Sequence, residues 1–175
     1  MATMNIPKIR EIYNKTRNLS TAIADPRTMG IIKDTHGKML MIEKSWENAR
    51  LELFEAFKSY QESGNSRAKQ VLKYVVIASI LANSPLNPFD NVEAKVYRED
   101  PDIKIVDELR TAYEKKNGKD LIRIMGSQKH RIFDEQFIRQ FEDDLMNIIC
   151  LEMVVALAAP YRKLKFDYLC RELNL

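Results

Sequence analysis

Apolar residues recur along this chain at intervals of three and four, the spacing that lines one face of an α-helix, and only rarely at the alternate positions of a strand. In "WENARLELFEAFKSYQES" the set Trp46, Ala49, Leu53, Ala56, Phe57 and Tyr60 forms one broad stripe, with Glu47, Arg50, Glu55 and Lys58 mostly off it. The same spacing puts Ile6, Ile9, Ile12 and Tyr13 on one side of a first helix from about Pro7 to Ile23. A second helix carries Met29, Ile32, His36, Met39 and Leu40 to about Ile42. "NSRAKQVLKYVVIASILANS" is apolar on nearly every side, so it predicts a helix sandwiched between neighbours. "DIKIVDELRTAYEKK" and "LIRIMGSQ" predict two more, and the longest is expected from about Glu135 to Ala158 on the stripe Phe137, Phe141, Leu145, Ile148 and Ile149.

The boundaries come from punctuating residues. Asp25-Pro26 and Asp100-Pro101 each offer an N-cap carboxylate followed by a proline whose missing N–H costs nothing in the first turn. Ser45 is expected to cap the third helix, and Gly64 to stop it at a left-handed position that only glycine adopts cheaply. Pro85 and Pro88 are expected to end the fourth. In "NPFDNVEAKVYREDPDI", Asp90 with Glu93 reads as a capping box for one helical turn, and Phe89 as an apolar plug. Asn117-Gly118 makes a turn, Asp120 lies near the start of the sixth helix, Asp134 caps the longest and Pro160 closes it. The final stretch changes period. "YRKLKF" alternates like a short strand and "DYLCRELNL" reads as a helix from Asp167, so a cut through a domain is expected here, because one strand cannot satisfy its own backbone.

Helix pairs joined by short turns predict an all-α, right-handed helical-repeat solenoid of antiparallel pairs over residues 1–160. The segment from Gly37 to Ala56 resembles a tetratricopeptide repeat: Gly37 stands where two helices approach closely, Trp46 begins the second helix, and Ala49, Leu53 and Ala56 follow at that motif's spacing. Lys44 replaces the usual small residue at its turn. Ile103 to Met125 repeats the layout more loosely, so "NPFDNVEAKVYREDPDI" reads as a connection between repeats.

Composition adds little to that picture and removes some alternatives. A chain of 175 residues can bury a sizeable core, and five Gly and six Pro are too few for a turn-rich β fold. The net charge of +3 arises from 28 basic and 25 acidic residues mixed along the chain, which is a solvated surface rather than a nucleic-acid face. The two cysteines, Cys150 and Cys170, lie on apolar helical patterns and are expected as buried thiols of a reducing compartment. The N-terminus lacks the apolar run of a secretory signal, and "IICLEMVVALAAP" is too short to span a bilayer and contains Glu152, so a soluble intracellular protein is expected.

Candidate chemistry is sparse. His36 reads as a helix-face residue and His130 as a loop residue, neither with a ligand partner at metal-binding spacing, so no metal is expected. No phosphate-cradling loop, nucleophile elbow or metalloprotease helix occurs, and no catalytic residue or cofactor is assigned. Glu142, Asp143 and Asp144 fan around a helix and cannot converge on a small substrate. Glu152, in its apolar run, either borders solvent or meets a basic partner from a neighbouring chain. Arg162, Lys163 and Lys165 form a small basic cluster that reads as an exposed strand face, with nucleic acid or an acidic subunit as the functional alternatives.

The whole layout resembles the PCI-domain family of scaffold subunits in large regulatory complexes, and within it the subunits of the COP signalosome. "MGIIKDTHGKM", "LFEAFKSYQESGN", "LKYVVIASIL", "NPFDNVEAKVYREDPDI" and "YRKLKFDYLCRELNL" carry the resemblance, which runs from about Leu19 to the end. It implies a non-catalytic scaffold of the complex that removes the ubiquitin-like modifier Nedd from cullins, working in cytoplasm and nucleus. Residues 161–175 would be the start of a winged helix, incomplete here, whose edge pairs with other PCI subunits; Tyr161, Arg162, Lys163, Lys165, Phe166 and Glu152 are the implied partner-binding residues. Contact with the cullin–RING ligase would be indirect or through N-terminal repeats that have no counterpart here. The expectation is a fragment, a truncated product or a divergent paralogue. A proteasome-lid subunit and an RNA-binding helical-repeat module remain the alternatives.

Overall fold

In the computed structural model, which describes residues 6–19, 25–127 and 129–160, every regular element is helical. The chain divides into two units, Met1–Glu99 and Asp100–Leu175.

In the first unit, α1 (Ile6–Leu19) precedes α2 (Pro26–Ile42), α3 (Trp46–Glu62) and α4 (Arg67–Leu81). The Asp25-Pro26 start forms as its chemistry requires: the Asp25 carboxylate accepts the backbone N–H groups of Arg27 and Thr28 at 3.3 and 3.1 Å. Lys44, at φ 57°, turns the chain between α2 and α3. Ser45 occupies the N-cap position of α3, but its side chain caps no backbone group. Its ψ of 66° departs from the extended geometry that aims a hydroxyl at the helix, and its Oγ instead accepts from Asn48 at 2.9 Å. Gly64 does end α3 in the left-handed region, at φ 62°, where the Asn65 N–H closes onto the Tyr60 carbonyl at 2.8 Å.

Helices α2 and α3 approach closely at two glycines. A Cβ on Gly37 would lie 2.6 Å from Leu53 Cγ, and one on Gly30 would lie 2.8 Å from the Tyr60 ring. Of the stripe expected from the sequence, Ala49, Leu53, Ala56, Phe57 and Tyr60 are excluded from solvent, Trp46 is half-buried, and Arg50, expected off the stripe, is buried with its charge paired to Glu47. Every position of α4 from Val71 to Leu81 is buried, as the all-round apolar pattern requires. The stop of α4 differs from expectation. Asn83, at φ 48°, already turns the backbone, with Ser84 N–H on the Ser79 carbonyl at 3.0 Å, so the helix ends before Pro85 is reached.

In the connection, the Asn87 side chain accepts the Phe89 N–H at 3.0 Å and starts one tight turn, Pro88–Asp90. Then comes α5 (Val92–Lys95), preceded by Asn91. The Asp90–Glu93 capping box does not form, because Asp90 sits inside the tight turn and Asn91 takes the cap position. Phe89 is buried, with the Arg98 guanidinium 5.7 Å from its ring centroid.

In the second unit, the Asp100 carboxylate accepts the Asp102 N–H at 3.1 Å and launches α6 (Pro101–Glu114). Lys116, at φ 51°, makes the turn. Asn117 then accepts the Asp120 N–H at 3.3 Å at the head of α7 (Gly118–Ser127). His130 lies within a short helix, α8 (Lys129–Ile132), rather than in a loop. The long helix expected from Glu135 to Ala158 is two: α9 (Gln136–Arg139) and α10 (Glu142–Ala158). Glu135, not Asp134, stands before α9, and Phe141 breaks the run at φ −102°, ψ 8°. The Arg139 guanidinium donates back to the Phe133 carbonyl at 3.2 and 3.3 Å, holding the short α9 against the segment before it. The strand and helix expected at 161–175, and Cys170 with them, lie outside the described residues.

Candidate functional site

Of the partner-binding residues expected from sequence, Tyr161, Arg162, Lys163, Lys165 and Phe166 lie outside the described residues. Glu152 is described, and it has a cation within its own chain: its Oε2 is 3.4 Å from Lys116 Nζ, in the α6–α7 turn. Tyr113 lies near enough to feel it. Burial first, and the Glu152 charge second, push the Tyr113 phenol up from its ordinary range. One turn earlier on α6, the buried Arg110 pairs through Nε with Glu114 at 2.9 Å, its guanidinium 5.9 Å from the Tyr113 ring centroid. These groups tie α10 to the end of α6. The pairing of Glu152 with a lysine thirty-six positions away (152 minus 116) leaves no local trace in the sequence.

Two further polar clusters join the helices of the first unit. The buried Asp34 on α2 is 2.9 Å from Lys38, 3.7 Å from Arg67 at the start of α4, and 3.4 Å from the Tyr60 hydroxyl on α3. Burial, then the Asp34 charge, pushes the Tyr60 phenol up to about 12. Beside it, the His36 ring of α2 stacks on Tyr13 of α1, centroids 3.4 Å apart and planes 10° from parallel. The Tyr13 hydroxyl donates to Glu52 of α3 at 2.7 Å, and His36 Nδ1 lies 3.6 Å from the other Glu52 oxygen. Burial raises the Glu52 carboxyl, but the His36 imidazole, the Tyr13 hydroxyl and the Lys33 ammonium outweigh it and hold the group below its usual range.

A cleft of about 200 Å³ lies along α6 and α7, lined by Asp107, Glu108, Thr111, Lys115, Asp120 and Arg123. Ala112 and Ile124 line it as well, and its volume lies below the roughly 300–1,000 Å³ of pockets that enclose small ligands. Arg123 and Asp120 neutralise each other across 3.3 Å within it. Among the described residues no group of three or more His, Cys, Asp and Glu side chains is placed to hold a metal ion. Glu142, Asp143 and Asp144 occupy the first turn of α10, where carboxylates complement the helix dipole. Cys150 is a half-buried free thiol, and no helix of the described residues is long and apolar enough to cross a membrane.

These polar clusters join helix to helix, and the chain is also similar to known proteins. No protein-family model matches the chain. A protein of Dictyostelium discoideum named COP9 signalosome complex subunit 2 is 42% identical over 99% of this chain. Proteins of the same name from Schizosaccharomyces pombe and Drosophila melanogaster are 38% and 34% identical over 96% and 98% of it. The chain spans about 38% of the length of each of these relatives. Over nearly its whole length, the chain is a homologue of part of the proteins named COP9 signalosome complex subunit 2.

Proposed function

We propose that this chain is a non-catalytic scaffold component of the COP9 signalosome, the complex that removes Nedd from cullin–RING ubiquitin ligases, and that it works through protein–protein contacts. The observation that carries the reading is 42% identity across 99% of the chain to a protein named as subunit 2 of that complex. The helix pairs support it. Surfaces made of stacked amphipathic helices present long faces to partners without needing a pocket. On this reading α2–α3 and α6–α7 are tetratricopeptide-like pairs of a right-handed solenoid that leads, at residues 161–175, into the start of a PCI winged helix. Tyr161, Arg162, Lys163, Lys165 and Phe166 would meet the edges of other PCI subunits in cytoplasm and nucleus, with the cullin–RING ligase engaged indirectly.

The test is affinity purification of the tagged full-length chain from cell extract, followed by identification of its companions. Signalosome PCI subunits together with cullins are the expected result. Proteasomal ATPases in their place would move the chain to the proteasome lid, and the absence of any PCI protein would overturn the reading. Salt-sensitive RNA binding, weakened by changing Arg162, Lys163 and Lys165 to Gln, would instead support an RNA-binding module.

A further inference from the structure

The contact between His36 and Glu52 is incomplete in a specific way. His36 Nδ1 and Glu52 Oε2 are both buried, both lack a hydrogen-bond partner, and face each other across 3.6 Å. Buried polar atoms are rarely left in this state, because each forfeits its hydration without replacement. The other Glu52 oxygen is already held by Tyr13, whose ring also covers the imidazole. Three helices thus converge on one imidazole: α1 through Tyr13, α2 through His36 itself, and α3 through Glu52.

We propose that Tyr13, His36 and Glu52 form a proton-operated clasp that fastens α1 to α2 and α3 and tightens when His36 is protonated. An imidazolium Nδ1–H would donate to Glu52 Oε2, turning an open approach into a charge-assisted hydrogen bond. Its positive ring would also lie against the electron-rich face of Tyr13. Lys33, on the same helix as His36, is the cation that opposes this, and Glu52 is the anion that favours it. Away from the clasp, Arg10 of α1 forms an ion pair with Glu43 at the end of α2. The sign follows from what α1 brings: the His36–Glu52 pair joins α2 and α3 whether or not α1 is docked, and docking adds the Tyr13 ring face, which attracts the imidazolium more than the neutral imidazole, so docking is favoured on the acid side and weakens as the imidazole loses its proton.

The experiment is amide hydrogen exchange of the full chain at the two ends of the range in which imidazoles change charge, about pH 5 to 8, with rates divided by the intrinsic exchange rate at each pH. Protection of the α1 amides is expected to be about fivefold greater at the acid end, the equilibrium effect of one cation–π contact. His36→Gln and Glu52→Gln should each abolish that ratio, whereas Tyr13→Phe should lower protection at both pH values and keep it. His130→Gln, which removes the other histidine, should leave it intact. Protection of α1 in the unmodified chain that is equal at both pH values, or a ratio that survives in His36→Gln, would overturn the clasp. The unmodified chain decides alone if a variant fails to fold.

Discussion

Gly37 has no room for a methyl group: a Cβ there would fall 2.6 Å from Leu53 Cγ, 2.8 Å from its Cδ2 and 3.2 Å from its backbone nitrogen. The backbone nitrogen cannot rotate away, so Gly37→Ala should destabilise the protein by about 1–3 kcal/mol in chemical denaturation. Gly126, in α7, faces open space. There the alanine gains only its better helix propensity, and Gly126→Ala should be stabilising by about 0.5–1 kcal/mol. The close approach at Gly37 was legible from spacing alone. The clusters around Asp34 and Glu52 were not, since Tyr60 lies 26 positions from Asp34, and Tyr13 lies 39 from Glu52. Tyr60 makes its own prediction. Its folded phenol titrates at about 12, above the ordinary value of 10.0, so the unfolded chain releases the proton first as pH rises. The stability from the neutral phenol is complete below 10 and is lost between there and about 12. Denaturation midpoints should fall across that alkaline range in the unmodified protein, and fall less in Tyr60→Phe.

At the scale of the helix, the Asp-Pro starts were legible because two local effects agree: a carboxylate that accepts orphan N–H groups and a proline that has none to satisfy. Asp100→Ala removes the acceptor of the Asp102 N–H and should cost about 1 kcal/mol. Ser45→Ala removes no cap bond and should stay within about 0.5 kcal/mol. Comparing the two in the same denaturant series separates a formed cap from a capping residue type. The break at Phe141 was not legible, since Phe137, Phe141 and Leu145 keep helical spacing straight through it. Just before the break, the Arg139 guanidinium folds back onto the Phe133 carbonyl, a contact that leaves no periodicity to read. Asn83 hid in a similar way: two prolines nearby offered a louder stop signal than one asparagine in a left-handed turn.

For the molecule as a whole, the all-helical character of the described residues followed from periodicity and from the scarcity of Gly and Pro, and needed no long-range knowledge. The site was less legible. Five of its expected residues fall beyond the described chain, and Glu152 found its cation inside it, at Lys116. Substitutions should sort by depth. Leu72→Ala, fully buried in α4, should cost about 2–5 kcal/mol, whereas Val92→Thr, on the exposed α5, should change stability by no more than about 0.5 kcal/mol.

The burial of α4 on every side from Val71 to Leu81 carries a consequence for evolution and for engineering alike. A helix with an outward face can drift along that face for generations, or accept a fluorophore or a crosslinker there. This one offers no such latitude. In a saturation library the stretch should appear as a band in which charged replacements vanish at every position except the natively charged Lys73, without the three-and-four rhythm of tolerance that α3 will show on either side of its stripe.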